Sequence, residues 1–276
     1  MSRVASFDAV RAKVAAMSAC RGGAGKAALS FGDSRIDQAF PAGGLPLGCW
    51  HELGGEGLEI ETAAAAGAFA AVLAKPLASR GAVVWVSRRD DLYAPGLAGL
   101  GFPAERLIQV QARDEAQVLA ALEDALGAAG VAAAVGEAEA VDLTAGRRLQ
   151  LACERRGATG FLIRRRLFGA PAGKIVSSVS LGAATGSAAA TRWTVASAPS
   201  EPAPGMPGLG ASRWRVDLKR CRGGRPGSWI LEMNIGEMND GAYPLRVVTR
   251  LGDRQLEAAP SRNLADGGAA PWRRTG

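Results

Sequence analysis

The sequence predicts an α/β fold, a mostly parallel sheet with helices on both faces and an antiparallel β-hairpin extension. Three observations predict it. Between Ser34 and Arg166, short apolar strands alternate with helical patterns across short links, the signature of parallel strands joined by helices. Beyond Arg166 the apolar spacing changes to period two, which marks half-buried antiparallel strands. A Gly/Ala/Ser-rich stretch, residues 169–190, separates the two regimes with Lys174 as its single charge.

The elements follow in order. Val4, Phe7, Val10, Val14 and Met17 recur at helical spacing and predict a short amphipathic helix over residues 4–17. With the Gly-rich break at 21–25, residues 1–33 read as a helical arm and linker. An apolar stretch ending at Leu53 reads as a strand, and Thr62–Ser79 as a helix halted near Pro76. Ala82–Val86 and Arg106–Val110 are strands. Asp114 caps a helix whose Val118, Leu119, Leu122 and Leu126 share one face. Val131–Val135 is a strand, Asp142–Arg156 a helix stopped by Gly157, and Gly160–Ile163 a strand again.

In the second regime, Trp193 and Val195 alternate with Arg192 and Thr194. Trp214, Val216 and Leu218 alternate with Arg213, Arg215, Asp217 and Lys219. This run turns through Gly-Gly-Arg-Pro-Gly into Ser228–Met233, a β-hairpin. The apolar set, Trp229 included, is expected to face the core and the arginines to face water. Residues 198–211 read as a loop, 34–256 as the core, and 257–276 as a flexible C-terminal tail.

Composition closes several function classes. Hydrophobic residues are 48% but aromatics only 5%, so alanine must fill much of the interior. His51 is the one histidine, which excludes a His-rich metal site and leaves a single ring for any Ser-His-Asp or Cys-His chemistry. Beside Trp50 in a strand, it reads as a satisfied core residue. Cys20, Cys49, Cys153 and Cys221 form no CxxC pair and read as reduced, buried thiols. The longest apolar run, Ala63–Ala74, falls short of the roughly 18 residues that span a bilayer. The N-terminus mixes Arg3, Asp8, Arg11 and Lys13 among its apolar residues, unlike a signal peptide. A soluble, cytoplasmic protein without a membrane partner is expected.

The most specific signal is SRIDQAFPAGGLPLGCWHELGG, Ser34 to Gly55. It resembles the entry to the RecA recombinase core: an Ile-Asp, a Gly-Gly-Leu-Pro-x-Gly turn, a strand, then the phosphate-binding loop. DDLYAPGLAGLGF, DLTAGRRLQLACERRG, ATRWTVASAPS and GLGASRWRVDLKRCRGGRPGSW resemble segments of the ImuA family, RecA-like accessory proteins of bacterial SOS mutagenesis. The resemblance covers most of the chain and implies a RecA-like core.

At the phosphate loop the chain departs from an ATPase. A P-loop reads GxxxxGK[ST], with glycines that let backbone N–H groups wrap phosphates, a Lys on the β/γ oxygens and a hydroxyl on Mg²⁺. Here Gly54 precedes Gly55-Glu-Gly-Leu-Glu59-Ile60-Glu61-Thr62. Ile60 stands at the second glycine and Glu61 at the lysine, and a carboxylate there repels a polyphosphate, with Glu59 adding to it. By the resemblance, Arg88 and Arg89 fall near the water-activating Glu, Glu137 near the Mg²⁺-orienting Asp, and Arg164 and Arg165 near the nucleotide-sensing Gln. No catalytic residue, metal or cofactor is therefore expected, and neither ATP nor Mg²⁺ binding. Glu61, with Glu59, is read as pairing with Arg88, Arg89 or Arg164 in place of nucleotide; the alternative is that these residues are merely solvated.

The basic excess, net charge +7, is local. Arg147, Arg148, Arg155 and Arg156 lie on one helix, where a solvated face competes with a grip on DNA or an acidic partner. Arg164, Arg165 and Arg166 precede the long loop, which in RecA-like folds contacts single-stranded DNA. With Lys174 they are the candidate DNA-binding set. The loop lacks aromatic stacking platforms over 169–190, so any DNA binding is expected to be weak and sequence-independent. Val10, Val14 and Met17 of the arm, and Trp272, Arg273 and Arg274 of the tail, are candidate partner contacts; a random disordered end is the other reading of the tail.

The resemblance implies a non-catalytic scaffold in translesion synthesis. Its partners would be an ImuB-like polymerase-like protein, an error-prone DNA polymerase and RecA, with the protein reaching the nucleoid on DNA damage. Two other classes stay open on the sequence. A DNA-dependent ATPase or recombinase is opposed by Glu61. A SulA-like division inhibitor that binds FtsZ is opposed by the large core and long loop.

Overall fold

The alternating pattern builds strands β3 (Trp50–Gly55), β4 (Ala82–Ser87), β5 (Leu107–Gln111), β6 (Val131–Ala138) and β7 (Thr159–Arg164). The period-two region supplies β8 (Thr191–Ala198), β9 (Arg213–Cys221), β10 (Gly227–Met233) and β11 (Leu245–Arg250). These nine form one sheet in the order β11-β10-β9-β8-β3-β7-β6-β4-β5, parallel from β8 to β5 and antiparallel from β8 to β11. A small antiparallel pair, β1 (Ala28–Leu29) and β2 (Leu45–Pro46), precedes them around a short helix α1 (Ser34–Asp37). The structure is a computed structural model that describes residues 27–56, 59–165, 188–202, 205, 207–233 and 245–250. Val10, Val14, Met17, Arg166, Lys174, Trp272, Arg273 and Arg274 lie outside the described residues.

The helices are α2 (Glu59–Ala74), α3 (Ala94–Gly99), α4 (Glu115–Gly127) and α5 (Leu143–Arg156). Their ends follow the expected chemistry. Asp114 Oδ1 accepts from the Gln117 N–H at 2.8 Å, and Asp142 Oδ1 from the Ala145 N–H at 2.7 Å, so each satisfies one orphan donor of a first turn. Gly157, at φ 74°, takes the left-handed turn that ends α5.

Two apolar layers enclose the sheet. On one face α2 lays Phe69, Ala70 and Leu73 over Leu53, Trp85, Ile163 and Trp193, a layer that continues under β9–β11 through Trp214, Val216, Trp229 and Leu231. On the other, α4 and α5 bring Leu122, Leu126 and Leu149 onto Trp50, Val84 and Leu162. Alanine holds α2 close to the sheet: Ala65, Ala66, Ala70, Ala71 and Ala74 are all buried. At Gly160 the approach is tighter still, since a Cβ there would come 3.0 Å from Trp50 Cβ.

Three sequence expectations need correction. The helix expected over Thr62–Ser79 begins at Glu59, and its α-helical part ends at Ala74; Lys75–Ser79 is a 3-10 turn with Pro76 near its start, where the missing N–H removes no bond. β11 was not foreseen, because LRVVTR is short and lies beyond the hairpin's own turn signal. The arginine face of β9 is not simply wet. Asp217 is buried, receiving Ser228 Oγ–H and pairing Lys219, while Arg213 is largely covered beside Glu232.

His51 is fully buried, as its strand position suggested, and both ring nitrogens have hydrogen-bond partners. Pro46 O is an acceptor 2.9 Å from Nε2, which places the proton there; Nδ1 then accepts from Thr191 Oγ1 at 2.7 Å. Thr191 Oγ1 itself accepts from Trp193 Nε1 at 2.7 Å. Burial drives the His51 pKa from 6.5 to about 4, only partly opposed by the Pro46 carbonyl. Between those values the unfolded chain binds a proton that the folded ring refuses. The resulting stability, about 3 kcal/mol, is complete above pH 6.5 and is lost as pH falls from 6.5 to about 4. Urea unfolding across pH 4–7 is expected to show this slope in the wild type and a flatter profile in His51→Gln.

Candidate functional site

Parallel strands end together, so their carboxyl edge collects the residues that follow them. The adjacent order β3-β7-β6-β4 brings Gly54 and Gly55, Arg164 and Arg165, Glu137 and Ala138, and Arg88 and Arg89 to one edge. The backbone of Glu59, Ile60, Glu61 and Thr62 forms the start of α2 beside that edge; their side chains lie outside the described residues. The sequence-derived nucleotide-site positions thus come together at one place. At Gly54, an added Cβ would meet Arg164 Cβ and Trp193 O only at 3.9 Å, ordinary contact, so packing does not demand the glycine.

Alternation along the strands then splits the edge into two clusters. Glu137 is paired in register with Ile163, and two residues on, Arg165 points to the same face, the side covered by α2. Arg165 Nη1 lies 2.5 Å from Glu137 Oε2, and Trp85 Nε1 donates to Glu137 Oε1 at 2.8 Å. Arg165 Nη2 also reaches Asp91 Oδ2 at 2.9 Å, and Arg89 Nε meets that oxygen at 3.2 Å. The Arg165 N–H donates to Ala138 O at 3.1 Å, which fixes the backbone that carries the guanidinium. Glu137 is 3% exposed. Burial pushes its carboxyl above the ordinary range, against the opposing charge and hydrogen bond of Arg165 and the Trp85 hydrogen bond.

The second cluster faces the α4/α5 side. Glu52, buried in β3, receives Arg164 Nη1 at 3.4 Å and Arg192 Nε at 3.2 Å. Arg164 ends β7 and Arg192 opens β8, so one carboxylate ties the strands on either side of residues 166–187. A further pair joins Glu56, just past β3, to Arg215 of β9.

The expected pairing of Glu61 with Arg88, Arg89 or Arg164 falls on a side chain outside the described residues, and two of those bases also have carboxylates among the described residues. Asp91 takes Arg89 and Glu52 takes Arg164. Arg165, read as a candidate for DNA, has its guanidinium on Glu137 and Asp91. Glu52, Trp85, Asp91 and Arg192 were missed as site residues. Glu52 was hidden in a strand read as apolar, and Asp91 lay in a segment quoted only for its family resemblance. A carboxylate inside VAAAVGEA beside an arginine directly after FLIR was the available signal.

A RecA-like edge implies a nucleotide with Mg²⁺, and the described residue at the expected metal-orienting position does not fit that ion. The carboxylate that the resemblance places at the metal-orienting position, Glu137, already accepts from Trp85 and Arg165, so both of its oxygens are engaged within the protein. By the sequence resemblance, an acid, Glu61, falls at the position of the phosphate-binding lysine. Among the described residues no group of three or more His, Cys, Asp or Glu side chains is arranged for a metal ion.

No family model matches the chain. Protein ImuA of Caulobacter vibrioides strain NA1000 / CB15N is 59% identical over 233 residues, covering 84% of this chain and 93% of that protein. Protein ImuA of strain ATCC 19089 / CIP 103742 / CB 15 matches to the same extent. Among solved structures, the RadB recombinase superposes with a TM-score of 0.50 at 15% identity, over 80% of this chain and 100% of that one. SulA from Pseudomonas aeruginosa gives a TM-score of 0.37 at 23% identity over 42% of this chain and 97% of that one. The RadB likeness makes the fold RecA-like. On the identity and coverage of its Caulobacter relatives, the chain belongs to the ImuA family.

Proposed function

We propose that this protein is a non-catalytic RecA-like accessory protein of damage-induced, error-prone translesion synthesis. It bridges an ImuB-like polymerase-like protein and an error-prone DNA polymerase, with RecA as a further contact, and works without ATP or Mg²⁺. The observation that carries the non-catalytic part is the Arg165 guanidinium on Glu137, a cation built into the chain at the metal-orienting position. The ImuA relatives support the pathway and the scaffold role. The protein is cytoplasmic in this reading and joins the nucleoid on damage.

Isothermal calorimetry with Mg·ATP is expected to give no saturable heat, and phosphate release to stay at background with single-stranded DNA. Micromolar ATP binding, or DNA-stimulated release, would return the protein to the ATPase class. Pull-down from DNA-damaged cells, with and without residues 257–276, addresses the bridge. The full chain is expected to retain the ImuB-like protein and the polymerase. Absence of both from either sample argues against the scaffold, and filamentous cells on overexpression would favour a division role.

A further inference from the structure

Helix α5 leaves an outward face that the core does not explain. Its inward face is complete: Gly146, Leu149, Ala152 and Cys153 are buried against the sheet and α4. Leu143, Arg147 and Leu151, spaced by four, share the opposite face, and Arg155 extends it by another turn. Leu143 is 45% and Leu151 54% exposed, two of the few large apolar side chains so exposed among the described residues. Eight residues of helix set them about 12 Å apart, on either side of Arg147.

The charges around them are free to act outward. Arg148 is held by Glu123 of α4 at 2.6 Å, which ties the two helices, and Glu154 accepts from Gln150 at 2.8 Å. Among the described residues Arg147, Arg155 and Arg156 have no ion-pair partner. The face therefore alternates leucine with unpaired guanidinium groups.

Charge decides what can cover it. Residues 1–26 carry five basic residues against one acid, 166–187 two against none, and 251–276 four against three, so none of them complements the face. Residues 234–244 carry two acids and no base, but the strands that flank them in sequence, β10 and β11, lie at the sheet edge away from β3 and β7, which α5 packs against. A second α5 would oppose arginine to arginine. DNA would use the arginines and leave the two leucines without a contact. We propose that this face docks an acidic amphipathic helix of another protein. Leu143 and Leu151 make the apolar contact, and Arg147 and Arg155 pair with its carboxylates.

The test uses the full chain and a fluorescein-labelled peptide of about 18 residues, long enough to be helical, with leucines on one face and glutamates elsewhere. Saturable anisotropy is expected, weakening as salt is raised. A peptide with lysines in place of the glutamates is expected not to bind. Leu151→Gln and Arg147→Glu should each weaken binding about tenfold or more. Both sites are exposed, so urea midpoints matching the wild type are expected to confirm folding. No saturation, equal binding of the lysine peptide, or unchanged affinity in both variants overturns the proposal. Displacement by equimolar single-stranded oligonucleotide also overturns it, in favour of a nucleic-acid surface.

Discussion

Replacing Arg165 with methionine is expected to lower the unfolding free energy by about 3 kcal/mol, measured by urea titration at pH 7. The size follows from what remains. Glu137 stays buried with the Trp85 N–H as its remaining described donor, and Asp91 keeps Arg89 but loses its second cation. A carboxylate so placed escapes part of the penalty by taking up a proton, which keeps the loss at the low end for a broken buried pair. The pH dependence has a definite sign. Glu137 is already raised in the native protein, and losing Arg165 raises it further. A raised folded pKa gives stability that is present below the unfolded value and lost as pH rises through the folded one. The Arg165→Met deficit should therefore shrink on acidification towards pH 5. Adding Glu137→Leu should recover most of it at pH 7, because matched removal of both charges leaves nothing buried and unpaired. Equal, additive losses in the two single variants would deny the coupling.

Trp193→Ala is expected to cost about 4 kcal/mol in the same measurement. Trp193 is 1% exposed where the parallel and antiparallel halves of the sheet meet. Its ring centre lies 5.7 Å from Phe69, 5.9 Å from Phe40, 6.3 Å from Phe31 and 6.5 Å from Trp229. Those rings come from α2, the α1–β2 connection, the segment after β1, and β10, so none can move to fill the void without dragging its own element. The indole N–H also supplies Thr191, which in turn supplies His51. Trp193→Phe should cost clearly less, since it keeps most of the volume and loses only that donor.

The elements most legible in the sequence were those fixed by local chemistry. Asp114, Asp142 and Gly157 marked helix ends through bonds made within a few residues. The alternation of Trp214, Val216 and Leu218 gave the buried face of β9, because side-chain direction in a strand is set by the backbone alone. The site was legible only as positions. Which base meets which acid depends on strand order, and β6 and β7 are neighbours across a helix that separates Glu137 from Arg165 by 28 residues. Glu52 shows the same limit: its partners lie 112 and 140 residues away. Arg213 of β9 was misjudged as wet because its guanidinium finds Glu232 on the adjoining strand β10.

Arg165 also has a consequence for timing. A nucleotide-driven core keeps time because its cation and phosphates leave after hydrolysis and release the contacts they held. Here the corresponding positive charge is covalent, anchored through its own backbone to β6, and has no departed state. In the proposed role, assemblies built on such a core would carry no internal clock. Their lifetimes would then be set by dissociation rates and by competition among partners, with abundance, rather than fuel, as the control variable.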